Sequence, residues 1–272
     1  MKKVLLFASA LLSLTVISCT KDDTATDSSA SVVRSYQVLN LSGGRAYAKE
    51  VVTPTYGPDG RVIKTVYEMY TLKDGKATLK QVELMDFDYS ASAAYATRCW
   101  ELMTPGALSV TGPYNYTLEF DGGGNLTKAI EGDYTNYLAY NGDRLASYKV
   151  TGPKTDLTNE YTWSGGDLVE LNQSSEIGPY KVTVTYGKES NPFADKVDPI
   201  LYIFGSILPD YSRWNLTGKN SAHLPATYKE DFYADITFSF EYKKDAQGRI
   251  VQVDIKGDDK DSEFDKSIII NY

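Results

Sequence analysis

The chain has 272 residues, and its 36 acidic against 28 basic side chains give a formal net charge of −8 at pH 7. It has no cluster of lysine and arginine to match a phosphate backbone, which excludes a nucleic-acid-binding protein. Its 22 tyrosines far outnumber its 9 phenylalanines. Because tyrosine, threonine and valine favour strands, the composition indicates a mainly β protein.

The N-terminus has the pattern of an export signal. Lys2 and Lys3 precede an apolar run that ends at Ile17. A mature membrane-spanning helix needs about 20 apolar residues, so this shorter run is typical of a segment that is removed. The letters "LTVISC" ending at Cys19 resemble the bacterial lipobox, whose cysteine is acylated with fatty acids such as palmitate. We therefore predict a lipoprotein signal peptide over residues 1–18 and lipidation of Cys19, with an ordinary secretory signal as the alternative.

A polar stretch follows the cysteine. Residues 19–34 include "TKDDTATDSSAS", which lacks apolar groups to bury and is predicted to be a flexible tether. Lys21, Asp22 and Asp23 resemble the signal that sends Bacteroidetes-type lipoproteins to the outer face of the outer membrane. The predicted location is therefore the outer membrane, lipid-anchored and exposed at the cell surface. The remaining residues, 35–272, are predicted to form one domain, and the mature chain would carry a formal charge of −10.

One short pattern recurs along the chain: an aromatic residue, a few residues rich in Gly, Asp, Asn and Lys, and then an aliphatic residue opening an alternating segment. Gly and Asn supply the positive φ that tight hairpin turns need. In "FDGGGNLTKAI" a strand rather than a helix follows the glycines, so we predict a turn and not a phosphate-binding loop. The pattern occurs at Tyr56, Phe120, Tyr140, Trp163 and Tyr242, and "LKDGKA" from Leu72 is a sixth turn.

Two segments alternate clearly between apolar and polar residues, as strands with one apolar face do. They are "YKVTVTY" from Tyr180 and "ITFSFEY" from Ile236. Leu126, Leu145 and Leu168 each open a segment, and their spacings of 19 and 23 residues match two strands and two turns. The predicted fold is mainly β: an antiparallel meander of repeated hairpins that forms a curved or barrel-like sheet.

One short helix is predicted near 198–208. Pro199 suits a first helical turn, and Pro209 follows the apolar run. Two arrangements then fit: a soluble curled sheet whose apolar face this helix closes, or a transmembrane barrel whose apolar face points outward. The consecutive isoleucines 268–270 do not alternate, and a spanning barrel would make the lipid anchor redundant. We therefore favour the soluble sheet.

Four longer stretches of the chain form a set: "YTWSGGDLVEL" from Tyr161, "YGKESNPFADKVDP" from Tyr186, "TGKNSAHLPATY" from Thr217 and "YKKDAQGRIVQVDI" from Tyr242. The hairpins resemble the tyrosine- and glycine-rich YD repeat of large bacterial shell proteins. As a set, the stretches resemble a family of Bacteroidetes lipoproteins of unknown function whose fold is described as porin-like. The resemblance implies a curved or barrel-like sheet with one helical insertion, and it implies no activity.

Motifs for catalysis and metal binding are scarce. The single histidine, His223, lies two residues from Ser221, but no triad or nucleophile-elbow pattern surrounds them, and a hydrogen-bonded loop residue is the prediction. If Cys19 is lipidated, Cys99 is the one remaining thiol. One histidine and one thiol cannot supply the three or four nitrogen or sulfur ligands of a zinc site. The acidic residues 259–265 lack the glycine and bidentate glutamate of a calcium loop and are predicted to form a solvated turn. We therefore predict no enzymatic activity, no metal and no cofactor.

Aromatic side chains are the remaining candidates for recognition, since the faces of sugars stack on such rings. Trp100, Trp163 and Trp214 are the predicted ligand-binding residues, and packing within the sheet is the structural alternative. The predicted function is a non-enzymatic, lipid-anchored lipoprotein that binds an extracellular glycan or an envelope partner protein. The rival hypotheses are a structural component of an outer-membrane assembly and a glycan-active hydrolase with unassigned carboxylates.

Overall fold

Sixteen antiparallel strands make up the sheet. They are β1 (Ser35–Ser42), β2 (Arg45–Tyr56), β3 (Val62–Lys73), β4 (Lys76–Asp88), β5 (Ala94–Thr104), β6 (Ala107–Phe120), β7 (Leu126–Glu131), β8 (Tyr134–Asn141), β9 (Arg144–Gly152), β10 (Thr155–Ser164), β11 (Asp167–Ser174), β12 (Tyr180–Ser190), β13 (His223–Glu230), β14 (Ile236–Lys244), β15 (Ile250–Gly257) and β16 (Lys266–Asn271).

The protein is described by a computed structural model over ten ranges: residues 32–89, 94–104, 107–153, 155–175, 178–201, 208–209, 211–212, 215–231, 236–258 and 265–272. The predicted signal peptide, Cys19 and most of the tether lie outside these ranges, as do Trp214 and residues 259–264 of the acidic stretch. Lipidation and the tether therefore stay predictions.

The sheet closes on itself. Each strand pairs with its neighbours along the chain, and β1 also pairs with β16. The closing register sets Tyr36 opposite Ile270 and Val38 opposite Ile268, all of them buried. The predicted antiparallel meander of hairpins is thus confirmed as a closed barrel, which leaves no exposed sheet edge.

The apolar face of the sheet points into the barrel. On β12 the inward-facing side chains of Val182 and Val184 are buried. The next residue, Thr185, points outward and is exposed. The outer face carries ion pairs, among them Lys181–Glu170 at 2.7 Å. A transmembrane barrel instead turns an apolar band outward. The preference for a soluble sheet over a membrane-spanning barrel stays a prediction.

None of the helices in the described ranges has the length and hydropathy needed to cross a membrane.

The glycine-rich turns gather at one end of the barrel. This end, which we call the aromatic end, holds the turns that follow Tyr56, Phe120, Tyr140, Trp163 and Tyr242. The turn after Leu72 joins β3 to β4 and lies at the opposite end, which we call the polar end.

The three consecutive glycines form a turn, as predicted. The Asp121 carboxylate accepts hydrogen bonds from the backbone N–H groups of Gly123 and Asn125 at 2.8 and 2.9 Å. Gly124 has a φ of 86°, a conformation that side chains with a Cβ disfavour. Strand β7 follows directly, so no helix N-terminus is available for a phosphate group.

A ring of aromatic residues holds the hairpins together at the aromatic end. Each ring residue lies in the second half of an even-numbered strand or directly after it. It donates a hydrogen bond to a backbone carbonyl within two residues of the start of the preceding odd-numbered strand. Such a bond contributes a net free energy of about 1 kcal/mol. The bonds run from Tyr56 to Val33 (3.0 Å), Tyr89 to Val62 (2.9 Å), Tyr140 to Leu126 (2.7 Å), Trp163 to Leu145 (2.7 Å), Tyr186 to Leu168 (2.8 Å), Tyr242 to Pro225 (2.6 Å) and Tyr272 to Ile250 (2.9 Å).

The long connection between β12 and β13 packs across the aromatic end. We call its described stretches 191–201 and 215–222 the cap. Phe193 and Leu216 of the cap are buried in the core. The Leu216 carbonyl accepts the Leu126 N–H at 2.8 Å, which ties the cap to the start of β7. The cap therefore fills the space that the predicted helix was expected to cover.

The predicted helix itself is reduced to one turn in its described part. Pro199–Leu201 form a 3₁₀ turn, and residues 202–207 lie outside the described ranges. The Asp198 carboxylate accepts the Ile200 N–H at 2.8 Å and so caps this turn. Pro199 occupies the first position, where its missing N–H does no harm.

Candidate functional site: a polar belt inside the barrel

The inner face of the barrel changes character along the strands. Near the aromatic end it is apolar and buried, as at Leu126 and Leu145. Toward the polar end the same face carries Asn, Glu, Arg and Tyr. On β1, for example, Asn40 shares the inner face with buried Val38, because residues two apart on a strand point the same way. Strand geometry therefore brings these polar side chains into the interior.

The first part of the polar interior lies on β1 to β3. Glu50 accepts one hydrogen bond from the Asn40 side-chain amide at 2.9 Å and another from the Tyr67 hydroxyl at 2.8 Å. All three side chains are half-buried. Both partners are neutral, so Glu50 brings a negative charge to this part of the wall.

A chain of contacts crosses β4 to β7. Arg98 forms a two-pronged ion pair with Glu83, in which Nε and Nη2 each lie 2.8 Å from a carboxylate oxygen. Arg98 also hydrogen-bonds Tyr116, which in turn hydrogen-bonds Glu131. Burial lowers the pKa of the Arg98 guanidinium, but the hydrogen bond and charge of Glu83 outweigh it, so the net pKa lies above the ordinary value. Burial raises the pKa of Tyr116 to about 12.

Amide and hydroxyl groups continue the lining on β8 to β10. The Tyr148 hydroxyl donates to Asn136 Oδ1 at 2.7 Å, and the side-chain amide of Asn136 donates to the Ala129 carbonyl at 3.4 Å. Asn159, which is opposite Tyr148 in the register, is almost fully buried. The side-chain amide of Asn159 donates to the Tyr161 hydroxyl at 3.4 Å.

Tyrosines and one carboxylate complete the lining on β12 and β13. The Tyr180 and Tyr228 hydroxyls lie 3.5 Å apart, and Tyr228 donates a short hydrogen bond to Glu230. Burial, followed by the charge of Glu230, raises the pKa of Tyr228 well above the ordinary range. Tyr228 therefore remains a neutral donor across the physiological range.

These groups together form what we call the polar belt. It brings four carboxylates, one guanidinium, several amides and several phenol rings to the inner wall of the barrel. Solvent reaches part of it, because the Glu83 and Arg98 side chains are 14% and 22% exposed. Such a surface can hydrogen-bond a hydroxyl-rich ligand and can stack against its apolar faces. Its members are Asn40, Glu50, Tyr67, Glu83, Arg98, Tyr116, Glu131, Asn136, Tyr148, Asn159, Tyr180, Tyr228 and Glu230.

Sequence reasoning missed the belt. Its members are spread over strands that are far apart in the chain, so no local spacing joins them. A weak signal does exist, since Glu50 and Glu131 occupy positions that alternate in phase with buried residues. Because the sequence does not show how the sheet closes, this alternation does not tell whether Glu50 and Glu131 face the barrel interior or a solvated edge.

The three tryptophans predicted to bind ligand are placed differently. Trp163 belongs to the aromatic ring, with its indole N–H bonded to Leu145 and the Arg144 guanidinium 5.0 Å from the ring centroid. Trp100 lies on β5 opposite Glu83 in the register, and its side chain is outside the described atoms, whereas all of Trp214 is outside the described ranges. Ligand binding by these residues stays a prediction.

His223 begins β13 and is held by an acid. Its Nδ1 lies 2.8 Å from Asp167 Oδ2, and its backbone N–H donates to Asp167 Oδ1 at 2.8 Å. Ser221 makes separate contacts: its Oγ accepts the Leu168 N–H at 3.1 Å and lies 2.8 Å from the Tyr186 hydroxyl. The Ser221 contacts fasten the cap to the barrel, whereas Asp167 on β11 holds His223 on β13. His223 therefore makes hydrogen bonds as predicted, but it begins a strand and does not lie in a loop.

Within the described ranges, no three His, Cys, Asp or Glu side chains come together in a way that could hold a metal ion. Cys99 is a free, half-buried thiol. The belt carboxylates described above each engage a partner on the same stretch of wall.

The closed meander of sixteen strands is a porin-like β-barrel. A porin-like protein from Bacteroides uniformis superposes with a TM-score of 0.66 at 11% identity, over 88% of this chain and 97% of the other. A porin-like protein from Bacteroides vulgatus superposes with a TM-score of 0.50 at 13% identity, over 89% and 98%. At these identities the likeness is one of fold, and it confirms the porin-like sheet that the sequence resemblance implied. No protein-family model and no curated protein matches the chain.

Proposed function

We propose that this chain is a non-enzymatic, lipid-anchored protein of the outer membrane that binds an extracellular polysaccharide through the polar belt. The observation that carries the proposal is the belt itself: a concave, partly solvated wall that combines phenol rings with amides and carboxylates. Sugars present alternating apolar faces and hydroxyl groups, and this combination is complementary to both. The porin-like fold is compatible with an outer-membrane location.

The placement of the chain start gives the proposal an orientation. Arg34 pairs with Asn271 at the aromatic end, through a backbone hydrogen bond of 2.9 Å. A tether from Cys19 therefore enters the barrel beside the cap, and Cys19 to Val32 could span at most about 45 Å when extended. In the proposed arrangement the aromatic end faces the membrane, and the polar end faces the medium.

Polysaccharide binding is tested with the full chain in detergent micelles against a panel of polysaccharides, with calorimetry for affinity and chromatography for released sugar. We expect binding without product release. Tyr148→Phe and Glu131→Gln should each weaken it about tenfold, the effect of losing about 1.4 kcal/mol of hydrogen bonding. Glu241→Gln is the matched control, because Glu241 pairs with Lys256 on the outer face.

Four outcomes would contradict the proposal. Failure of the wild-type chain to bind any polysaccharide would remove the ligand class. Equal affinity of the belt variants and the Glu241→Gln control would place the binding surface elsewhere. Release of free sugar would favour the rival hydrolase, and recovery of a porin or transporter in an envelope pull-down would favour the structural component of an assembly.

The lipid anchor is tested by Cys19→Ala. We expect this variant to leave the membrane fraction, since a soluble barrel with a polar outer face has little affinity for lipid. Cys99→Ala is the control, because it removes the other cysteine and keeps the lipobox. Fractionation of envelopes followed by immunoblotting gives the measurement, and retention of Cys19→Ala in the membrane fraction would count against lipidation.

A further inference from the structure

The cap contains one carboxylate that is sealed from solvent. Asp198 is 3% exposed and lies beneath the aromatic ring. Its Oδ2 accepts a hydrogen bond from the Asn191 side-chain amide at 3.0 Å, and its Oδ1 accepts the Ile200 N–H at 2.8 Å. Both partners are neutral, and both belong to the cap. Among the described residues, no cation forms an ion pair with this carboxylate.

Asp198 borders a small cavity between the cap and the barrel. The cavity has a volume of about 30 Å³ and is lined from the barrel side by Trp163 and Tyr186, among others. Lys219 is the one cation among its described lining residues, and it is engaged at the surface by Asp143 at 3.1 Å and Asp195 at 3.9 Å. A second cation at this end is Arg144 on β9, whose guanidinium donates to the Asn220 carbonyl of the cap and lies 5.0 Å from the centroid of the Trp163 ring.

Three tyrosines of the ring are further titratable groups around Asp198, and Asp167 and Arg144 also act on one of them, Tyr186. Tyr186 on β12, Tyr242 on β14 and Tyr272 after β16 all interact electrostatically with Asp198. Burial raises the pKa of each, to about 12 for Tyr272, so all three stay neutral near pH 7. They offer no charge that would favour an ionised Asp198.

Burial raises the pKa of Asp198 from 3.8 to about 6, although hydrogen bonds from Asn191 and from the Ile200 and Leu201 amides oppose the shift. A folded-state pKa above the solvated value means that the closed cap prefers the uncharged acid. The associated stability is fully present below about pH 4 and is lost progressively as the pH rises through about 6.

The contacts between the cap and the barrel determine which part of the structure opens when this stability is lost. The described backbone contacts between cap and barrel are single hydrogen bonds, such as Lys219 N–H to the Asp143 carbonyl at 2.9 Å and Ala222 N–H to the Gly166 carbonyl at 3.1 Å. The barrel wall, in contrast, is a continuous ladder of sixteen strands. Local opening of the cap would hydrate Asp198 without breaking that ladder.

The geometry points to a pH-dependent closure of the aromatic end, in which the cap is held while Asp198 is uncharged and loosens when Asp198 ionises. Opening would uncover the apolar interior at this end and the cavity beneath the ring. This closure is independent of what the polar belt binds.

The test is hydrogen–deuterium exchange of the full chain at about pH 5 and about pH 7.5, corrected for intrinsic exchange rates. We expect protection of the Ile200 and Leu201 amides to be about tenfold lower at the higher pH, given solvated and closed-cap pKa values of 3.8 and about 6. Amides of β8 and β9 should show no such change. Asp198→Asn should abolish the pH dependence, and Asp195→Asn, which changes an exposed cap carboxylate, should preserve it.

Two results would overturn the proposal. One is a cap whose protection in the wild-type chain does not differ between the two pH values relative to β8 and β9. The other is an Asp198→Asn chain that keeps the full pH dependence. The wild-type comparison needs no substitution, so it decides the matter even where Asp198→Asn fails to fold.

Discussion

Gly218→Ala should destabilise the protein by about 3 kcal/mol or more, because a side chain at this position would collide with the backbone of the β8–β9 turn. A Cβ on Gly218 would lie 2.4 Å from the Asp143 carbonyl oxygen. The same carbonyl accepts the Lys219 N–H at 2.9 Å, so the cap cannot retreat without losing that bond. Gly218 also has a φ of 78°, which disfavours any residue with a Cβ. Urea unfolding followed by circular dichroism gives the free energy.

Gly142→Ala is the matched control for this prediction. Gly142 has a φ of 64° in the neighbouring β8–β9 turn, but a Cβ there would meet nothing within 4 Å. It should therefore lose only the conformational part, about 1 kcal/mol. Equal losses for the two variants would mean that the close approach between cap and turn contributes nothing to stability.

Arg98→Met should cost about 2–3 kcal/mol of stability, because it leaves Glu83 largely buried without its cation. The Glu83 side chain is 14% exposed and makes both prongs of the ion pair with Arg98. Breaking a fully buried pair costs about 3–5 kcal/mol, and the partial solvation of this pair reduces the expected loss. The double variant Arg98→Met with Glu83→Gln should recover part of it, since no unpaired charge then remains. Thermal and urea unfolding of the wild-type chain, Arg98→Met, Glu83→Gln and the double variant complete a double-mutant cycle.

The control for the ion pair is Lys256→Met on the outer face. Lys256 lies 3.0 Å from Glu241, with both side chains more than half exposed. Solvent and salt screen such pairs, so the expected change is below about 1 kcal/mol. A loss at Lys256 as large as that at Arg98 would show that the position of the pair inside the barrel does not matter.

Local pattern was sufficient to predict the hairpins. The alternation from Tyr180 to Tyr186 and the glycine-rich turns specify strand and turn over a few residues each, and short-range physical rules govern both. The repeated aromatic residue was visible too, but its role was not. Whether Trp163 faces a ligand or donates to the Leu145 carbonyl depends on which strand lies beside it, and that is a property of the closed sheet.

Long-range pairing was not predictable. The contact between Ser35 and Asn271 joins residues at opposite ends of the chain, and no local signal reports it. The polar belt depends on the same closure, since its members become neighbours only across strand pairs. The proline positions and the apolar run near 198–208 predict a helix. In the described part the structure has a single turn at residues 199–201, capped by Asp198, and residues 202–207 lie outside the described ranges.

The pairing of β1 with β16 also means that the barrel has no first or last strand in space. Arg34 and Asn271 are hydrogen-bonded neighbours, so a short peptide linking the two ends would bridge only adjacent strands. Circular permutation is tolerated where termini are close and new ends fall in exposed turns, as at the β3–β4 turn after Lys73. A chain that begins at another turn could therefore keep the same sixteen strand pairings.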